Sequence, residues 1–277
     1  MDWMCFLDPD KGEFKMKKIS TCILLAMVTV SLLAGCSFNT GLKPFSSVPK
    51  PKSSTFYNTD GSFNQTAAKE AYYDLMRAYH YPIPALLKSD AFWVADFVQA
   101  DFAKLGMAGI FWKNESGIYG EAGTKAYQGD FKDDHFGYLG HDIFLLPGQV
   151  LPEHNHLGNG GNQGFGPKME TWHVRHGSVE FFGEHQGPAG ETPISEMPEH
   201  ERPWGYGESW FKSKYVKQCD AGELYTLNDP ESWHFMRAGK NGAIVSEYAT
   251  YHNDVKFSKP NMEFANTTAK ETKKPKK

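Results

Sequence analysis

Cysteine is scarce in this chain, with only Cys5, Cys22, Cys36 and Cys219 among 277 residues. Cys219 stands alone in the body of the sequence, so a disulfide framework cannot hold the fold together. Long apolar runs are equally scarce. A single one lies near the N-terminus, which excludes a polytopic membrane protein. A cationic surplus is also missing: 29 Lys and Arg stand against 33 Asp and Glu, for a net charge of -4. Without a basic stripe to neutralise phosphates, nucleic acid is excluded as the main partner. What remains is ample for folding. A hydrophobic share of 40% and an aromatic share of 14% allow a sizeable core, and 27 Gly with 16 Pro favour a turn-rich, mostly β body. The length suits one domain with extensions, and no internal repeat is visible.

The apolar run has an address-like layout. From Met16, Lys17 and Lys18 supply a positive start, Ile23 to Leu33 a short apolar core, and Leu33-Ala34-Gly35-Cys36 a small-residue end. This run resembles the signal peptide and lipobox of bacterial lipoproteins, which implies export, acylation of Cys36 and anchoring in a lipid bilayer, facing the periplasm or the cell surface. Residues 1–15 precede a good start at Met16 and read as an over-extended gene start. Residues 36–65, rich in Ser, Pro, Lys and Asn, read as a disordered tether, and residues 262–277, Lys-rich at their end, as a disordered tail. The domain proper is expected over 66–261.

Within it, Ala68, Ala71, Tyr72, Leu75, Met76 and Tyr79 recur at helical steps, predicting a helix over Thr66–Tyr79. A second short helix is expected near Pro84. After Met107 the texture changes to short runs of β-formers, at 109–112, 141–146, 169–174, 178–182, 223–227 and 244–249, punctuated by turn residues. The expectation is a mainly β jelly-roll barrel with an N-terminal helical extension and an inward-facing pocket. Gly177 is read as the hairpin turn between two of those strands.

Chemistry concentrates on one constellation. His154 and His156 are two apart, so an extended strand turns both imidazoles to one face. Alternation puts Lys168, Glu170, Trp172 and Val174 together on another strand face, leaving Arg175 pointing out and His173 excluded as a ligand. His234 follows much later. Three imidazoles and one carboxylate from separate strands make four ligands for a divalent first-row metal, with positions left open for substrate. The Gly- and Asn-rich stretch Leu157–Pro167 between ligands is either a lid or a plain connection. It lacks the lysine and the strand–loop–helix setting of a phosphate loop.

Gly148, His154-x-His156, Glu170 and Gly177 resemble the first motif of the cupins, with His234 at the place of the second motif's histidine. Pro230 stands four residues before His234 with no glycine between, a departure from that second motif. More narrowly, LLPGQVLPEHNH (145–156), PKMETWHVRHGSV (167–179) and WHFMRAGKNGAIVSEYATYHND (233–254) resemble the D-lyxose isomerase branch, over roughly 58–261. The resemblance implies a divalent metal, usually manganese with iron, cobalt, nickel or zinc open, and aldose–ketose isomerisation of a free sugar resembling D-lyxose or D-xylulose. It also leaves open a homodimer, since such barrels often pair through edge strands.

Isomerisation moves a proton between neighbouring carbons through an enediol and needs a base near them. Glu247 is the candidate base, with Lys168 to hold a sugar oxygen or steady Glu170. Trp172, Tyr225 and Phe235 are candidates to line a sugar pocket. Three other readings keep the metal cup or the fold and change the function: a cupin enzyme on unsaturated uronic or other sugar acids, an iron dioxygenase, or a non-catalytic carbohydrate-binding lipoprotein.

Overall fold

The structure is a computed structural model that describes residues 46–97, 101–115, 138–157, 168–187, 190–251 and 255–264, and the backbone of two strands at 3–8 and 13–18. The chain divides into two units, 1–44 and 45–277. The first contains an antiparallel pair, β1 (Trp3–Asp8) and β2 (Glu13–Lys18), with Trp3 opposite Lys18 and Asp8 opposite Glu13. The apolar segment 23–33, Cys36, the stretch 158–167 and the tail from residue 265 lie outside the described residues. No described helix is long and apolar enough to cross a membrane.

The second unit opens earlier than the composition of 36–65 suggests. Ser53–Phe56 forms a 3-10 turn, Tyr57 bridges to Phe63, and Phe56 is fully buried against Phe102 at a ring separation of 4.9 Å. The tether expectation therefore fails from about Ser53 onward: three aromatic side chains outweigh the Ser, Pro and Lys around them. Helix α1 (Gln65–Ala78) follows, its first turn capped by the Asn64 side chain, which accepts from the Ala67 N–H at 3.0 Å. Its buried stripe of Ala68, Tyr72, Leu75, Met76 and Ala78 is the one the periodicity indicates. Tyr72 donates to Gln149 at 2.6 Å, and Gln149 serves Leu146 and Phe102 in turn, so this buried polar group is satisfied where helix meets sheet. The short helix expected near Pro84 is a single 3-10 turn, Ala85–Lys88.

The strands form one ten-stranded sheet, antiparallel in every named pair. They are β3 (Trp93–Ala95), β4 (Met107–Glu115), β5 (Tyr138–Leu145), β6 (Val150–Asn155), β7 (Glu170–Gly183), β8 (Thr192–Pro193), β9 (Tyr215–Asp220), β10 (Leu224–Thr226), β11 (His234–Thr250) and β12 (Lys256–Phe257). The main path runs β3-β4-β5-β11-β7-β9-β8, with β10 on β7, and β12 on β6 beside β11. The mainly β architecture with N-terminal helices is as read from the sequence, but the sheet folds over without closing into a continuous barrel. One face carries Ile143, Leu145, Trp172, Val174 and Val245 into the inner core. The other presents Phe144, Ile110 and Ile244 to α1. Burial on both faces covers β5 from His141 to Leu145, the polar His141 and Asp142 included.

Gly177 is not a hairpin turn. β7 runs straight through it for 14 residues, paired with β11, which itself extends for 17. The ladder slips between Ala238 and Ala243, where Gly177 (φ 78°) meets Gly242 (φ 75°). A side chain on Gly177 would collide with the Gly242 carbonyl, so two left-handed glycines let both strands bend here while staying paired. At the far end Met262 is buried and Phe264 packs on Phe97 at 5.4 Å, so the domain outlasts residue 261 by a few residues.

Candidate metal centre

His154 lies on β6, His156 just beyond it, and His234 opens β11 directly opposite His154. Each offers a ligand nitrogen within 4.8 Å of the others, and all three are buried. Their rings are oriented by the backbone. His154 Nδ1 faces the Pro152 carbonyl at 2.8 Å and His234 Nδ1 the Ser232 carbonyl at 2.9 Å. Each Nδ1–H is thereby spent, which leaves Nε2 as the lone-pair atom turned inward. A slip in the β6–β11 register lets both Leu151 and His154 face inward and turns Glu153 away. There Glu153 accepts from the Ser213 Oγ and N–H at 2.6 and 2.7 Å, anchoring the strand behind the histidines.

Glu170, at the start of β7, completes the ring of donors. Its two oxygens lie 3.6 Å from His156 Nε2 and 3.3 Å from His234 Nε2. Burial holds the His234 ring well below the ordinary histidine pKa and lowers that of His154 to about 4, so both are neutral. A neutral Nε2 facing a carboxylate oxygen brings two acceptors together, and neither His234 Nε2 nor Glu170 Oε2 has a hydrogen-bond partner. A cation between them would remove that conflict. The spacing suits one, since ligand atoms about 2.1 Å from a first-row ion lie about 3.0–3.4 Å from their neighbours. The donor set fits a divalent metal of that row; nothing in it selects among manganese, iron, cobalt, nickel and zinc.

Beside this set sits a charged relay. The Lys168 ammonium contacts Glu170 Oε1 at 2.7 Å and pairs with Glu247 Oε1 as well. Burial alone would lower the lysine, but the two carboxylates outweigh it and hold it above its ordinary value. Burial likewise works to raise Glu247, yet Lys168 and His141 keep that carboxyl well below the usual range. Glu170 goes the other way, pushed up to about 8 by burial with Lys168 in opposition. Two buried carboxylates thus compete for one ammonium among neutral imidazoles, so Glu170 resists ionisation, and a divalent ion would favour its charged form.

Most of the residues expected from the sequence come together: His154, His156, Glu170, His234, Lys168 and Glu247 form one connected cluster. Trp172 packs beside it, 5.3 Å from His234, and stacks with Tyr225 and Phe181 to make an aromatic wall. Tyr225 is buried and stacked on Phe181 at 4.9 Å. Phe235 is a correction. Strand parity sends it to the face opposite His234, where it stacks on Phe182 at 4.2 Å within a separate cluster, so it cannot line a pocket at the metal centre. Ser246 likewise faces away from Glu247 and donates to Asp142 at 2.6 Å. His173 and Arg175 are off the inner face as expected, and His176 stacks on Tyr79 instead.

The sequence did not reveal His141. It stands opposite Glu247 in the β5–β11 register, its Nδ1 3.0 Å from Glu247 Oε2 and its ring between Trp93 and Phe111. A histidine at alternate spacing with Ile143 and Leu145 was the available signal.

The chain matches no family model. It is 34% identical over 117 residues to a D-lyxose/D-mannose isomerase of Thermosediminibacter oceani, 42% of this chain and 58% of that one. It is 31% identical over 127 residues to a D-lyxose ketol-isomerase of a Thermofilum species, 45% of this chain and 64% of that one. The chain thus spans about three fifths of the length of these relatives. Among solved structures, an L-ribose isomerase of Cellulomonas parahominis superposes with a TM-score of 0.52 at 16% identity, over 79% of this chain and 96% of that one. That of an Acinetobacter species gives 0.51 at 18%, over 70% and 91%. Identities this low carry the fold alone. This chain therefore has the mainly β fold seen in those L-ribose isomerases, and over the aligned stretch it is similar to the D-lyxose isomerases.

Proposed function

We propose that the protein is a metal-dependent aldose–ketose isomerase acting on a free sugar of the D-lyxose/D-xylulose kind. The observation that carries this reading is the adjacency of two devices: a three-histidine, one-carboxylate cup and, one lysine away, a buried ionised carboxylate. His154, His156, Glu170 and His234 would hold the ion, manganese by the resemblance. Bound there, it would supply Lewis acidity toward the sugar oxygens on the two reacting carbons.

The remaining work falls to side chains. Glu247 is the base: it takes the proton from C2 of the aldose and returns it to C1, while the hydroxyl proton of O2 passes to O1, so that the aldose becomes the ketose through the enediol. Both its oxygens are already hydrogen-bonded or paired, yet each keeps a lone pair for a carbon-bound proton. Lys168 keeps that carboxylate ionised and fixed, and the Trp172–Tyr225 wall excludes water from one side. A sugar acid fits less well, because the charge of Lys168 is already offset by the carboxylates of Glu170 and Glu247. We further propose that residues 1–35 are a lipoprotein signal peptide and that acylated Cys36 tethers the domain to a bilayer at the periplasmic or outer surface. The run from Lys17 to Cys36 supports this.

The test is a panel of pentoses and hexoses offered to the full chain loaded with manganese, followed in deuterated water. Interconversion of D-lyxose and D-xylulose, or of a close stereochemical relative, with deuterium entering at the transferred position is expected. Glu247→Gln should lose that exchange at unchanged metal content. No interconversion with any sugar and any metal removes the isomerase reading, and full activity in the variant moves the base elsewhere.

A further inference from the structure

Beyond Glu247, two polar atoms are buried without a partner, and they sit on neighbouring rings: His141 Nε2 and Trp93 Nε1. We propose that they form a subsite that reads one hydroxyl group of the substrate, on a carbon beyond the two that react. This rests on the isomerase reading and adds a specificity determinant to it.

The two residues are 6% and 5% exposed, and their rings stack at 5.6 Å with 24° between planes. In the tautomer whose Nδ1–H goes to Glu247, His141 Nε2 is an acceptor, whereas the indole Nε1–H can only donate. A hydroxyl donates and accepts at once, so a single such group satisfies both. A hydrogen or methyl in its place satisfies neither, an ammonium cannot accept, and a carboxylate would set its charge near Glu247. The ligand class is therefore a neutral polyol. The rings cannot turn away to find other partners. Phe111 stacks on His141 at 4.4 Å, and Gly109 lies where a side chain would collide with both His141 Nε2 and the Trp93 ring. That bare glycine is what lets His141 Nε2 and the Trp93 ring approach the same point.

Position follows from the order of contacts. The histidine cup touches Glu170, Glu170 touches Lys168, Lys168 touches Glu247, and Glu247 touches His141. The reacting carbons belong between the cup and Glu247, so a group reaching His141 and Trp93 comes from further along the sugar chain.

The test is a cycle between protein and ligand. Trp93→Phe deletes the donor and keeps a ring, and His141→Asn keeps an N–H for Glu247 while deleting the outer acceptor. Each is assayed in the full chain against the best sugar and its mono-deoxy analogues. In the parent, removing one particular hydroxyl should lower kcat/KM about tenfold. In either variant the same removal should cost less than about twofold. Deoxy penalties identical in parent and variants would overturn the subsite and assign the two atoms to a bound water. Should the parent turn over no sugar, the isomerase reading falls separately, and calorimetry with unreactive polyols decides the subsite. About tenfold weaker polyol binding in each variant upholds it, while equal binding, or none to the parent, overturns it.

Discussion

Replacing Lys168 by methionine tests the electrostatic account of the centre most directly. The lysine is 7% exposed in its side chain, and its partners Glu170 and Glu247 are 1% and 4% exposed, so both ion pairs are nearly free of solvent screening. Methionine keeps most of the volume and removes the charge, leaving two carboxylates facing a dry gap. Removing one partner of a buried ion pair costs about 3–5 kcal/mol. At about 2–4 °C per kcal/mol for a domain of this size, the metal-free variant should melt about 6–20 °C below the parent. The deficit should depend on pH with a definite sign. Without the ammonium, burial and mutual repulsion raise a carboxyl pKa in the folded state above its unfolded value. Such a group stabilises fully below the unfolded pKa and loses that contribution as pH rises through the folded one. The gap between variant and parent is therefore smaller at pH 5 than at pH 8. Added manganese supplies the missing charge, so it should raise the variant's Tm by more than the parent's. Calorimetric melts at those two pH values, with and without metal, are the assay. A metal-free variant within about 2 °C of the parent at both would refute the reasoning.

Three further outcomes are expected. The metal-free chain should lose stability as pH falls from about 6.5 to 4, because unfolded histidines take protons that buried His154 and His234 refuse; the His154 shift alone corresponds to about 3 kcal/mol, and a flat urea midpoint over that range would contradict the neutral rings. Phe56→Ala should cost about 3–5 kcal/mol in urea unfolding, whereas a truly disordered tether would leave the midpoint unmoved. Phe235→Leu should lower Tm by a few degrees and leave kcat and KM alone, since its ring faces away from the cup; a raised KM would return it to the pocket.

What the sequence disclosed and what it concealed divide along a physical line. His154, His156, Lys168, Glu170 and Trp172 were legible because strand parity is local: two residues apart means the same face. Phe235, next to His234 in sequence, falls on the other side of that same parity and so leaves the cup. His141 was hidden for a different reason. It meets Glu247 through strand pairing across about a hundred residues, and no local pattern encodes register. Gly177 misled because a left-handed glycine between β-formers looks alike in a hairpin and in a bent, unbroken strand. The partner that distinguishes the two cases, Gly242, is distant in the chain. At the tether, composition was averaged over a window in which Phe56, Tyr57 and Phe63 were the informative minority.

The bend at Gly177 and Gly242 also governs when an ion could be captured. Seventeen residues of extended strand would reach about 55 Å, yet Glu170, paired near the close of β11 at Ala249, comes within 3.3 Å of His234 at its beginning. Opposite tips of one hairpin-like ribbon are folded toward each other, and Glu170 joins the cup only after that ribbon has zipped and doubled over. A half-formed chain can gather the imidazoles where β6 pairs with β11 but lacks the carboxylate that completes the chelate. Metal capture becomes a late event that locks the ladder end to end, and slow release of the ion should accompany opening of the whole sheet rather than fluctuation of one loop.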